Sequence, residues 1–493
     1  MTQTSCPDRL FLPNLTVLDD VRLGAQSLVS SAADLATPSV RIGITGLSRA
    51  GKTVFLTSLV HALLHGGHLP ALQASRSGRL IGASLTQQPD DDVARFALED
   101  HVHDLLHNRT WPNSTRQISE LRLTLRFEPN SALARTLGRT SLHLDLVDYP
   151  GEWLLDLPLL DQDYETFSRE ALTRARDPER KALAQPFLDA MRRVDGAKAL
   201  DEPQAARLAE LYTQYLRACK ESENALSMLP PGRFLMPGEL EGSPALTFVP
   251  LDPPLNGKPA KNSLYAAMEH RFEAYKRVVV KPFFINHFAR LDRQIVLVDT
   301  LAAINAGPSA LSDLRDALSA ILSCFKAGEN SILSKLFGPR IDKIVFAATK
   351  ADHLHHTQHD QLEAVLDHLV NDARKKALFS GAKVETMAIA SVRATREASA
   401  KTGNDTIGAV AGVPMKGETI NGQTFDGERE VAIFPGDLPA DPAKLMGPTA
   451  KTYPLRFVRF RPPKLDTRPT AKPGLPHIRL DRLLQFLLSD KLA

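Results

Sequence analysis

Val40-Arg41-Ile42-Gly43-Ile44-Thr45 runs straight into Gly46-Leu47-Ser48-Arg49-Ala50-Gly51-Lys52-Thr53, and the reading of that junction decides the fold. The first six residues read as a short buried strand. Gly46 ends it, and residues 51–64 carry the pattern of a helix. The eight residues that join the two fit G-x-x-x-x-G-K-[ST], the pattern of a phosphate-binding loop. The chemistry needs this spacing. Glycines let backbone N–H groups converge on a phosphate with no Cβ in the way. Lys52 brings a point charge to the β- and γ-phosphates, and the Thr53 hydroxyl is a ligand for Mg²⁺. The helix N-terminus behind them adds positive potential. The expected phosphate cradle is therefore Gly46, Ser48, Arg49, Ala50, Gly51, Lys52, Thr53 and Val54.

Three further motifs follow in order. Residues 118–127 and 141–148 alternate apolar and polar, as strands of a hairpin with one wet face do. The second of them ends in Asp148-Tyr149-Pro150-Gly151, the D-x-x-G of a GTPase. Asp148 is expected to hold Mg²⁺ through water and the Gly151 N–H to sense the γ-phosphate. Asp145 is the alternative acid on the same strand, but Asp148 lies at its end, where the phosphates belong. Thr349-Lys350-Ala351-Asp352 follows the apolar strand 343–348 and resembles [NT]-K-x-D. Asp352 there accepts two hydrogen bonds from guanine, and adenine offers no such donor pair. Lys350 is expected to pack over the base. Ser391 and Val392 follow the strand 384–390, where a backbone N–H meets the guanine O6.

Catalysis needs more than a cradle. Thr115, in the loop before the 118–127 strand, is the expected switch threonine completing the Mg²⁺ shell, with Thr110 second. Glu152 follows Gly151, where many regulatory GTPases place a water-orienting Gln. A carboxylate there repels the γ-phosphate, so slow intrinsic hydrolysis is expected. Arg49 has two readings, an arginine finger supplied in cis or a surface arginine. The expected catalytic group is Lys52, Glu152, Arg49 and Thr115, with Thr53, Asp148 and Thr115 as metal ligands. His353, His355, His356 and His359 read as a solvated helix start rather than a metal site.

Composition narrows the class. At roughly 150 residues per domain, 493 residues allow about three domain-sized units. The net charge of +3 argues against a nucleic-acid partner. Three scattered cysteines exclude a disulfide framework, and the N-terminus shows no leader pattern. No apolar run is long enough to span a membrane. The expected location is the cytoplasm, including the periphery of the inner membrane.

The expected fold class is α/β: a three-layer P-loop NTPase core of the TRAFAC GTPase type with two insertions. Residues 1–38 form an N-terminal helical arm, 39–154 the first part of the core, and 291–395 the second. Residues 155–290 are a mainly helical insertion, broken near Pro158, Pro178 and Pro186, with a loop carrying eight prolines over 230–259. Residues 396–470 are an irregular, partly β insertion, and 471–493 supply the last helix of the core. Phe283, Phe284 and Phe288 read as core.

The chain also resembles the YcjX-like P-loop proteins, described as stress-associated ATPases or GTPases. The resemblance rests on the stretch from Gly46 to Phe55, on Asp148 to Trp153, on Pro231-Gly232-Arg233-Phe234 and on Lys281-Pro282-Phe283-Phe284 with His287 to Arg290. It continues through Asp292-Arg293-Gln294, Arg459 to Pro463 and the tail from Asp481 to Leu492. Ala50 and Ser489 depart from the family pattern, which has Ser and Gly there. The resemblance implies a nucleotide-binding protein with a GTPase-like core and a helical insertion. The expected cofactors are GTP or GDP and Mg²⁺. The expected partners are the nucleotide, a protein engaged through the helical insertion, and a membrane surface. Two alternatives stand beside a GTP-driven switch: an ATPase using the same loop, and a nucleotide-stabilised scaffold or membrane-recruited adaptor.

Overall fold

The computed structural model describes residues 37–493 apart from 48, 114–116, 131–139, 223–225, 254–258, 325–340, 379–380, 403–404, 421, 448–449, 451–452, 454 and 465–473. The N-terminal helical arm expected over 1–38, except its last two residues, together with Ser48 of the loop and the expected switch threonine Thr115, lies outside the described residues. The sheet is built from β1 (Ser39–Gly46), β2 (Leu80–Thr86), β3 (Ala94–Arg95), β4 (Ser119–Phe127), β5 (Ser141–Asp148), β6 (Arg293–Val298), β7 (Lys343–Ala348) and β8 (Lys383–Ala388). Their order is β2-β4-β5-β1-β6-β7-β8, with β3 beside β4. β1 pairs in parallel with β5 and β6, and β7 and β8 continue in parallel, while β4 runs antiparallel to β5.

The apolar runs explain the layers. Val40, Ile42 and Ile44 of β1 face the same way as Ile295, Leu297, Val345 and Ala347. They pack under helix α1 (Lys52–Leu64) and the final helix, Leu480–Leu488. Val296, Val298, Ile344, Phe346 and Ala348 point to the other side, under the helices Pro308–Ser323 and His359–Leu378. Strands covered on both faces have no polar side to show, hence their unbroken apolar sequence. The result is the three-layer α/β architecture of a P-loop GTPase-like core.

The helical insertion contains α2 (Tyr164–Arg176), α3 (Pro178–Met191), α4 (Glu202–Glu221) and α5 (Leu264–Tyr275). Its apolar side chains form one continuous cluster with a face of the sheet. Pro178 begins α3, but Pro186 does not break it, and Pro158 lies inside the 3₁₀ turn Gly151–Asp161. Tertiary packing of Ala184, Phe187 and Leu188 holds α3 across the missing N–H of Pro186. Residues 396–470 supply a small three-stranded sheet and a two-stranded ribbon.

The polar face of β4 and β5 is wet at one end and buried at the other. Arg122 grips Asp145 across the strands through two hydrogen bonds of 2.6 and 2.9 Å. Glu120 is fully buried, with one oxygen 3.1 Å from Arg41. Burial pushes its carboxyl up to about 7 from an ordinary value near 4.5, against the pull of Arg41. The folded chain therefore keeps a proton that the unfolded chain releases as pH rises. This stabilisation is complete below the unfolded value and is lost as pH rises through about 7. Glu120→Gln removes that dependence. Relative to wild type, the variant should gain about 2 kcal/mol between pH 5 and pH 8, read from urea unfolding at the two pH values. A constant difference would show that the carboxyl does not titrate there.

Candidate nucleotide site

The parallel registers bring the motifs to one edge of the sheet. Ile44 is level with Asp148, Gly46 with Leu297, and Val298 with Ala348, which is level with Ala388. The chain leaves β1 for one side, returns across it and continues on the other. Ligands of open α/β sheets bind at such a reversal, outside the carboxyl ends of the strands.

At the end of β1 the loop is pinned by the Leu47 N–H, which donates to the Leu297 carbonyl at 3.3 Å. Arg49 and Gly51 take left-handed backbone, at φ 64° and 77°, and α1 starts at Lys52. The Lys52 ammonium donates to Asp148 Oδ1 at 2.5 Å. Asp148 is fully buried, and its Oδ2 has no hydrogen-bond partner among the described residues. A buried, half-satisfied carboxylate, with the buried Thr53 next in sequence to its partner Lys52, is a donor set that suits a hard divalent cation such as Mg²⁺.

The segment after Asp148 is fastened closely to this loop. The Thr45 hydroxyl donates to the Tyr149 carbonyl at 3.4 Å, and the Tyr149 hydroxyl donates to Gln294 at 2.5 Å. A Cβ at Gly151 would lie 2.3 Å from the Gly46 carbonyl oxygen, and one at Gly232 would lie 1.9 Å from the Glu152 carbonyl oxygen. Both contacts are backbone against backbone, so only glycine fits. Asp156 then accepts from the Gly232 N–H at 2.7 Å, the Arg233 N–H at 3.2 Å and the Tyr275 hydroxyl at 2.6 Å. Burial lifts this carboxyl to about 6, although those donors pull it down. Arg233 lies over the Trp153 ring, 3.2 Å from its centroid. The insertion is thus bolted directly to the residues that follow Asp148-Tyr149-Pro150-Gly151.

A cavity of about 640 Å³ opens above the loop. The loop forms one wall, and Arg217, Lys220 and Glu221 of α4 contribute to the opposite one. Glu152, also lining it, forms an ion pair with Lys220 at 2.6 Å. Arg49 is exposed and donates to the Glu221 carbonyl at 3.4 Å, so its guanidinium bridges loop and insertion. Pro112 and Gln117, on either side of the undescribed Thr115, also line the cavity.

Thr349, Lys350, Asp352 and Ser391 do not line this cavity. They lie at the ends of β7 and β8. The Thr349 N–H donates to the Val298 carbonyl at 2.9 Å. Lys350 pairs with Asp299, the residue that follows β6 and caps the next helix. Asp352 Oδ2 accepts from the Ala394 N–H at 2.9 Å, and the Asp352 carbonyl accepts from the Thr395 hydroxyl at 2.5 Å. The Ser391 carbonyl accepts from Ser58 of α1 at 2.5 Å, which ties the 391–395 loop to the helix behind Lys52. The Val392 side chain packs with Leu105 and Leu475.

A family model described as the YcjX-like family, DUF463, matches residues 40–492. The chain is 39% identical over 465 residues to a protein of Escherichia coli (strain K12) named "Ras-like GTPase YcjX", covering 92% of this chain and 96% of that one. A protein of Shewanella oneidensis with the same name is 37% identical over 488 residues, covering 95% and 97%. The chain belongs to the YcjX-like family.

Several groups around the site carry no motif. Arg217, Lys220 and Glu221 come from a helix about 70 residues beyond Glu152, and no spacing rule announces them. Asp299 was open to detection, because it is an acid at the end of an apolar strand. The histidine-rich helix start is less solvated than its composition suggests. His359 is buried, with Nε2 3.3 Å from the Leu354 carbonyl, while His355 and His356 face Glu397 at 3.0 and 3.3 Å. Arg393 also holds Glu397, at 3.0 Å. Among the described residues no helix is long and apolar enough to cross a membrane.

Proposed function

We propose that this protein is a Mg²⁺-dependent guanine-nucleotide-binding protein that hydrolyses GTP slowly and passes the state of the γ-phosphate to its helical insertion. The observation that carries this reading is the pair between Lys52, at the start of α1, and Asp148, at the end of β5, with the second Asp148 oxygen buried and without a hydrogen-bond partner among the described residues. The two relatives, both named Ras-like GTPase YcjX, support the same class of reaction.

In this reading the backbone from Gly46 to Val54 holds the phosphates, and Lys52 leaves Asp148 for the β- and γ-oxygens. Thr53, Asp148 and Thr115 would hold Mg²⁺, which would supply positive charge against the charge that develops on the transferring phosphoryl group. The Gly151 N–H reports the γ-phosphate, and Glu152 is placed to orient water. Thr349, Lys350 and Asp352, with the backbone of Ser391 and Val392, read the guanine. Asp352 suits that role because its Oδ1 takes no hydrogen bond among the described residues, while Oδ2 is already fixed by Ala394. The insertion shares a packed core with the sheet, so a shift at Gly151 is transmitted by contact.

Calorimetry against GDP, a GTP analogue, ADP and an ATP analogue, each with Mg²⁺, tests the class. Guanine nucleotides should bind and adenine nucleotides should not compete. Asp352→Ala should lower GDP affinity by about 10²-fold and erase the preference over ADP. Equal competition by ATP in wild type would select the ATPase reading. Identical protease protection of 155–290 with GDP and with the GTP analogue would select the scaffold reading. Turnover without a partner should stay below about 1 s⁻¹.

A further inference from the structure

The cavity over the loop holds two ammonium groups, each matched to one carboxylate. Lys52 is on Asp148 and Lys220 is on Glu152, at 2.5 and 2.6 Å. The partners in the second pair differ in freedom. Glu152 follows Gly151, and its backbone is wedged against Gly232, so the carboxylate has little room to leave. Lys220 is the more exposed partner and hangs on a flexible stem from the last turn of α4. Arg217, one turn earlier, lines the same cavity and makes no ion pair among the described residues. The C-terminal end of a helix carries negative potential and stabilises cations placed there.

A nucleoside triphosphate brings about four negative charges into this space, and hydrolysis concentrates charge on the γ-phosphoryl and the β–γ bridging oxygen. Resting on the nucleotide reading above, we infer that Lys220 is the charge-stabilising residue for hydrolysis, supplied in cis by the helical insertion and parked on Glu152 until a triphosphate arrives. On triphosphate binding the Lys220 ammonium transfers from Glu152 to a γ-phosphate oxygen. Glu152 is thereby freed to accept a hydrogen bond from the attacking water. The water oxygen forms its bond to the γ-phosphorus, and the bond from that phosphorus to the β–γ bridging oxygen breaks. The electron pair stays on the GDP oxygen, and the water protons pass to inorganic phosphate and solvent. Lys220 keeps its own protons and lends charge alone. The ion pair thus gives the insertion a contact that changes with the number of phosphates bound.

Single-turnover hydrolysis by the full-length protein, with affinities for GDP and for a non-hydrolysable GTP analogue, tests this. Lys220→Ala should lower the hydrolysis rate by about 10²-fold. It should weaken the analogue about tenfold while GDP affinity stays within about threefold, because GDP lacks the phosphate Lys220 meets. Lys220→Arg should recover the rate to within about tenfold. A wild-type rate in Lys220→Ala overturns the inference. So does equal loss of GDP and analogue affinity with no rescue by arginine, which would make the pair a structural strut. A rate loss in Arg217→Ala but not in Lys220→Ala also overturns it. Lys220→Gln replaces alanine should thermal unfolding show that the alanine variant is not folded. If wild type binds no guanine nucleotide, the reading of the site fails first. If wild type binds and hydrolyses GTP, only the role of Lys220 is at stake.

Discussion

Lys52→Ala is expected to weaken binding of a GTP analogue by about 10³-fold, and separately to lower the stability of the nucleotide-free protein by about 2–4 kcal/mol. The two effects have different origins. The first is loss of the cation proposed to hold the β- and γ-phosphates. The second follows from the pair itself: Asp148 is fully buried, and Lys52 at 2.5 Å is the one hydrogen-bond donor to its carboxylate among the described residues. Removing the lysine leaves a buried charge with no partner, which is worse than removing both groups. Adding Asp148→Asn to Lys52→Ala should therefore restore most of the stability while leaving the analogue unbound. Chemical unfolding of the wild type, both single variants and the double variant measures the coupling, and calorimetry measures the binding. Near wild-type affinity in Lys52→Ala would remove the loop from the phosphate site. Equal stability of the single and double variants would show that the Asp148 carboxylate is solvated by other means.

What the sequence made legible was whatever local chemistry constrains. Gly46, Gly51, Lys52 and Thr53 hold fixed places because one short loop must contain them all. The choice of Asp148 over Asp145 followed from counting to the end of an alternating strand, and Arg122 is what occupies Asp145. β6 and β7 were visible as unbroken apolar runs because helices cover both their faces. β2 was not visible. Leu80–Thr86 sits at the sheet edge, half buried, and shows neither alternation nor an apolar run. Pro186 misled in the other direction, since a packed helix tolerates a proline that an isolated one does not.

The site divides along the same line. The 46–53 loop and Asp352 belong to short motifs whose spacing the chain itself enforces. The Glu152–Lys220 pair and the Asp299–Lys350 pair join residues 68 and 51 positions apart. Nothing local fixes such distances. They depend on how the insertion packs, and that packing rests on many apolar contacts of which no single one is diagnostic. The unexpected partner of Glu152 also alters how its charge is understood. Read alone, the carboxylate repels the γ-phosphate; held by Lys220, it is neutralised within the cavity.

Gly151→Ala should carry the second large effect, a loss of GTP hydrolysis of about 10²-fold or more together with about 2–3 kcal/mol of stability. A methyl group at this position would sit 2.3 Å from the Gly46 oxygen, 2.6 Å from the Gly46 carbon and 3.1 Å from the Leu47 nitrogen. All three are backbone atoms of the loop, so no side chain can turn aside to make room. One of the two segments must withdraw. The loop is held by β1, which is hydrogen-bonded to strands on both sides, so the yielding segment is 150–153. Its withdrawal displaces the N–H expected to sense the γ-phosphate. It also moves Glu152, which presses on Gly232 and pairs with Lys220, so the Glu152–Lys220 contact between this segment and α4 is disturbed. GDP affinity should fall far less than the rate, because the Lys52 side of the loop is untouched. Single-turnover hydrolysis beside GDP titration separates the two. A variant that folds, binds GDP and hydrolyses GTP at the wild-type rate would show that the 150–153 segment is not coupled to the γ-phosphate, and the proposed route from nucleotide to insertion would fall with it.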